Sequence, residues 1–139
     1  MLYQGDEIGM YGRAENGFDG GRRAVMKFDN LSNDEKDVLQ HTQRLGKFRN
    51  SHIAARKGTR YTCGSTNDAW VYMLKCETND KIECEGDDTV IVGINKGSSA
   101  YTATCSGTSG TFTSYDGSSV QVSGGSVTVP AGGSLVIGK

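Results

Sequence analysis

Two adjacent carboxylates, Asp6 and Glu7, are the first residues of this 139-residue chain whose type and spacing invite a chemical reading. A pair of carboxyl groups can divide the work of acid and base, or of acid and nucleophile, when the two face a common bond. Neighbours on a strand point to opposite faces, so Asp6 and Glu7 are expected to brace a loop at a strand end rather than to form a dyad. The two histidines, His41 inside a helical stretch and His52 just after it, have no companions at metal-ligand spacing. Both read as structural, and a cationic ring at position 52 suits a helix C-terminus. No Ser/His/Asp or Cys/His order with supporting motifs is present, and Gly5 to Gly9 is not followed by the Gly-Lys-Ser/Thr of a phosphate loop.

Four cysteines, Cys63, Cys76, Cys84 and Cys105, fall in the second half and allow three pairings. Cys76 and Cys84 flank a polar segment with a turn signal at Asn79-Asp80, so they could close a short connection and leave Cys63 with Cys105. Free buried thiols are the alternative. Zinc is disfavoured, because no Cys-x₂₋₄-Cys pair exists and both histidines precede Cys63.

The elements that must position these groups change character near Gly58. Residues 1–57 read as strand, loop and helix. Gly12, Gly17, Gly20 and Gly21, with Gly9 just ahead, mark the loop. Ser32-Asn33-Asp34-Glu35 is a capping box, with acidic residues in the first turn and Arg44, Lys47 and Arg49 towards the other end. Val38, Leu45 and Phe48 space an apolar stripe along a helix expected from Asn33 to Arg49. Residues 58–139 are strands: 60–63, 70–74, 89–94, 100–104, 111–114, 120–122, 127–129 and 135–137 are β-branched or aromatic runs bounded by turn residues. About eight short strands predict a mainly β fold, an antiparallel sandwich of Greek-key type.

Charge is split, +3 over residues 1–60 and −4 over residues 61–139. Neither half carries the clustered basic face that nucleic acid requires. Arg22, Arg23 and Lys27 form the densest cationic spot and read as a solvated loop. No apolar run is long enough to span a bilayer, and residues 1–10 lack the basic and apolar regions of a signal peptide.

The run Tyr3-Gln4-Gly5-Asp6-Glu7-Ile8-Gly9-Met10, then a Gly/Arg loop and a capped helix, resembles the last strand, loop and helix of the catalytic barrel in the α-amylase superfamily, glycoside hydrolase family thirteen. Leu45-Gly46-Lys47-Phe48-Arg49 followed by His52-Ile53-Ala54-Ala55 resembles that family's helix end, with Ile53 where proline is usual. Val92-Gly93-Ile94-Asn95-Lys96-Gly97 and the segment Val129 to Ile137 resemble strands of its all-β domain. The loop Asp19 to Phe28 departs from the pattern, holding neither proline nor tryptophan.

The resemblance implies a strand-loop-helix remnant of a (β/α)₈ barrel over 1–57 and a C-terminal β-sandwich domain over 58–139. It also implies that the three catalytic carboxylates lie upstream, so that this chain is non-catalytic by itself and stabilises a barrel that hydrolyses α-glucans with retention. Such hydrolysis needs carboxyl groups about 5–5.5 Å apart across the scissile bond. Asp6, Glu7, Arg22 and Trp70 are the candidate substrate-binding residues. Trp70 and Tyr72 share one face of their strand by period two, with Val71 and Met73 on the other. Along with Tyr61, Tyr101 and Tyr115 they could stack on sugar rings, although a core or barrel-facing place is the preferred reading for Trp70. The implied partners are the upstream barrel and, through it, the α-glucan, without nucleic acid or membrane. The implied location is extracellular. No cofactor is assigned to the chain, and calcium is left to the parent enzyme. A self-standing carbohydrate-binding or adhesive sandwich is the rival reading.

Overall fold

The computed structural model describes residues 5–10, 27–77, 84 and 86–139. The strand expected at the start falls on residues 1–4, and the Gly/Arg loop with Asp19, Arg22 and Arg23 on residues 11–26, both outside the described residues. Asp6–Ile8 is a single 3₁₀ turn between two left-handed glycines, Gly5 and Gly9. The strand geometry expected to separate Asp6 from Glu7 therefore does not apply: glycines on both sides turn the chain there.

Helix α1 spans Asn33–Ser51, two residues beyond the expected end. Its capping box forms as the sequence requires. The Ser32 hydroxyl accepts from the Glu35 N–H at 3.2 Å, and the Glu35 carboxylate accepts from the Ser32 N–H at 2.6 Å. A further turn, α2 (Ala54–Lys57), follows, built of good helix formers and closed by Lys57 N–H to Ile53 C=O at 2.8 Å. The chain divides into two compact units, residues 1–46 and 47–139, at a point inside α1.

Eight strands follow among the described residues: β1 (Thr59–Ser65), β2 (Ala69–Cys76), β3 (Asp88–Asn95), β4 (Tyr101–Thr104), β5 (Gly110–Ser114), β6 (Ser119–Val122), β7 (Ser126–Val129) and β8 (Ser134–Gly138). Each expected run lies on one of them, to within two residues at either end. They form a six-stranded sheet, β1-β2-β3-β8-β5-β6, and a two-stranded sheet, β4-β7, and every pairing is antiparallel. The connections β3–β4, β4–β5, β6–β7 and β7–β8 each pass from one sheet to the other, which makes a Greek-key sandwich rather than a meander.

Alternation decides which side chains meet. Val71, Met73, Ile91, Phe112 and Ile137 of the large sheet and Ala103, Val127 and Val129 of the small one interlock as the main core. On the opposite face of the large sheet, Phe48 and Ala54 pack with Cys76 and Val90, flanked by Ile53, Leu74, Val92 and Val136. The end of α1 and the start of α2 thus cover part of the outer face. Gly93 sits where β3 crosses Val129, whose methyl group occupies the space a Cβ would need. Disulfides join Cys63 to Cys105, with Cα atoms 4.7 Å apart, and Cys76 to Cys84, 5.6 Å apart. No described helix is long and apolar enough to cross a membrane.

Candidate functional site

Among the candidates, Glu7 is half-buried, and its carboxylate accepts a hydrogen bond from the Gly5 N–H at 3.1 Å. That contact ties the carboxylate back onto its own turn, which is a bracing role. Asp6 is exposed. Beside this turn, Ile8, Gly9, Met10, Lys27, Ser32, Asp34, Glu35 and Val38 line a depression of about 400 Å³. In its wall Lys27 Nζ meets Glu35 Oε2 at 2.8 Å. The Lys27 ammonium, followed by the Ser32 amide, lowers the Glu35 pKa to about 2. Val38, expected in the helix's apolar stripe with Leu45 and Phe48, is exposed on this side, and of the three only Phe48 is buried.

Trp70 is on the outer face of β2, 37 % exposed, so the core alternative does not hold for it. Val71 and Met73 point into the sandwich and force their neighbours outwards. Its ring lies 4.6 Å from that of Tyr72 at a 40° tilt, and the Arg60 guanidinium stands 5.4 Å from its centroid. Register sets Ile94, 54 % exposed, directly opposite Trp70, and Val92 opposite Tyr72. The result is an apolar and aromatic strip continuing the outer face beyond the part that the helices cover. Arg60 was not legible as a member: its place follows from the pairing of β1 with β2, which sequence periodicity does not specify. Tyr61 is exposed, whereas Tyr101 and Tyr115 are half-buried, Tyr101 packed against the main core and Tyr115 against the helix-side cluster.

His52 holds the helix end. Its Nδ1 lies 2.8 Å from Asp88 Oδ1, and the other Asp88 oxygen accepts from the Ala54 N–H at 2.9 Å. The ring stacks against Phe48 at 4.4 Å. A Cβ at Gly138 would come within 2.5 Å of the imidazole, so β8 passes directly beneath it. One carboxylate thereby joins α1, α2 and β3. A second polar node is Asn95, which is buried at 3 % exposed. Its Nδ2 donates to the carbonyls of Ser99 (2.9 Å), Pro130 (3.1 Å) and Val129 (3.3 Å), and its Oδ1 accepts from the Gly97 N–H at 2.9 Å.

The His52–Asp88 pair resembles two members of a hydrolytic triad, but no nucleophile joins it among the described residues. All four thiols are oxidised, and Ser51 donates to the Phe48 carbonyl. No cluster of three metal-ligating side chains occurs among the described residues. What the geometry offers is an exposed apolar strip and a set of internal hydrogen-bonded clamps.

No protein-family model matches the sequence, and no curated protein matches it. Solved structures do match in fold. The gamma-CGTase from alkalophilic Bacillus clarkii aligns with 99 % of this chain at TM-score 0.62 and 22 % identity. CldA, a cyclomaltodextrin glucanotransferase with a three-domain ABC distribution, aligns with 99 % at TM-score 0.65 and 21 % identity. AmyP, solved in complex with maltose, aligns with 78 % at TM-score 0.59 and 14 % identity. The chain spans only 20 %, 28 % and 21 % of those proteins, respectively.

Proposed function

We propose that this chain is the C-terminal part of an α-amylase-like glycoside hydrolase acting on α-glucans, non-catalytic by itself, whose sandwich stabilises a (β/α)₈ barrel. The observation that carries the reading is the extent of the likeness. It runs over 99 % of the chain in both glucanotransferases, helix included. A free-standing sugar-binding sandwich has no need of a long capped helix joined to it in that order. The outer-face strip of Trp70, Tyr72, Val92 and Ile94 fits the same reading, because it extends a face that α1 and α2 already cover in part. A barrel seated there would complete the burial. The extracellular location is supported by the two disulfides, which persist in oxidising compartments.

The test is complementation. The purified chain should release no reducing sugar from soluble starch. Co-expression with the barrel encoded upstream should restore hydrolysis, and Trp70→Asp with Ile94→Asp should weaken that rescue at least tenfold. Hydrolysis by the chain alone would overturn the proposal.

The rival reading, a self-standing carbohydrate-binding or adhesive module, draws on the exposed Trp70 ring. Tyr72 and Arg60 both contact that ring, which leaves a sugar less of it to stack on. Affinity electrophoresis in soluble starch, with and without Trp70→Ala, separates the two: retardation that Trp70→Ala abolishes would favour the module.

A further inference from the structure

Asn30 is followed by Leu31 and Ser32, and no other asparagine of the chain has serine or threonine two places on. The Asn-x-Ser/Thr pattern, with x not proline, is the acceptor sequence for N-linked glycosylation and belongs on surface loops of secreted proteins. The structure supplies that setting. Asp29 and Asn30 form an exposed bend immediately before the α1 cap. Asn30 is the one non-glycine residue with a positive φ, 50°, among the described residues. Asparagine is among the few side chains that adopt this left-handed conformation readily. Leu31 is half-buried, while the side chain before it is exposed. The two disulfides fit passage through an oxidising compartment, where such transfer occurs.

We propose that Asn30 is a site of N-linked glycosylation, the donor being a lipid-diphosphate-linked oligosaccharide. The Asn30 carboxamide nitrogen forms a bond to C1 of the donor sugar as the bond from C1 to the diphosphate oxygen breaks. The lipid diphosphate leaves with that electron pair, and one amide proton passes to a base of the transferase. No oxidation or reduction takes place. A glycan here projects from the bend at the start of α1 and adds hydrophilic bulk to the first compact unit.

Ser32 has two duties, as the acceptor-sequence hydroxyl and as the helix cap, so the variants must separate them. The full chain, preceded by a cleavable secretory leader, is translated with microsomal membranes, and its mass is read before and after digestion with an N-glycosidase. The wild type should carry one digestible oligosaccharide. Asn30→Gln, which leaves the cap in place, should carry none, and Ser32→Thr, which keeps both cap and hydroxyl, should carry one. A leader-processed wild type without a digestible glycan would overturn the proposal, as would a glycan that persists in Asn30→Gln.

Discussion

Replacing Asn95 by aspartate removes one hydrogen-bond donor group and adds one charge in a buried place, and the consequence can be worked from the contacts. The Asn95 amide has two N–H bonds to share among the carbonyls of Ser99, Val129 and Pro130, and its oxygen holds the Gly97 N–H. That amounts to three hydrogen bonds, each contributing about 1 kcal/mol net, so Asn95→Ala should cost roughly 3 kcal/mol. Asn95→Asp keeps the Gly97 bond but turns an anionic oxygen towards three carbonyl oxygens. Losing two bonds costs about 2 kcal/mol, and a buried charge without a partner adds a further ~2 kcal/mol or more. At neutral pH the aspartate variant should therefore be less stable than the alanine variant. Burial and the facing carbonyls raise the folded-state pKa of the new carboxyl above its unfolded value. Its stability is then fully present below the unfolded pKa, near 3.9, and is lost as pH rises through the folded pKa. Protonation returns one O–H donor, so the deficit of Asn95→Asp should shrink by about 2 kcal/mol between pH 7 and pH 4. Urea unfolding of wild type, Asn95→Ala and Asn95→Asp at both pH values measures this directly. Equal deficits for Asn95→Asp at pH 4 and pH 7 would mean that the amide bonds are not what stabilises this node.

Three further outcomes follow from the geometry. Removing the Cys63–Cys105 bond, which closes a separation of 42 residues, should cost about 4 kcal/mol, against roughly 2.5 kcal/mol for Cys76–Cys84 with its separation of 8, by loop entropy. Denaturant unfolding of the two double-alanine variants checks the order. The Glu35 carboxyl should titrate near 2, so the cap it forms contributes above its ordinary value of 4.5 and is lost as pH falls through about 2. An NMR titration of the Glu35 carboxyl should show that midpoint moving up in Lys27→Ala. Gly138→Ala should destabilise by about 1–3 kcal/mol by driving a methyl into the His52 ring, and His52→Ala should recover most of that loss in a double-mutant cycle.

Much of this molecule is fixed by short-range pattern. The period-two runs place all eight strands, because alternation of β-branched and polar residues is itself the condition for a half-buried sheet. Ser32 and Glu35 start α1, because the two orphan N–H groups they satisfy lie within one turn of them. The cysteine spacing suggested closure of the polar connection after β2, and the structure joins Cys76 to Cys84 there.

What the sequence left open are matters of long-range closure. That β3 lies between β2 and β8, that Asp88 reaches His52 across 36 residues, and that Asn95 binds carbonyls 34 and 35 residues away all depend on which strands meet. The same holds for the Trp70 ring. Periodicity assigned it to a face shared with Tyr72, but only the stacking of the two sheets decided that Val71 and Met73 take the core and Trp70 the outside. Alternation fixes the two faces of a strand and is indifferent to which of them is buried; the partner layer makes that choice, and it is assembled from residues far away in the chain.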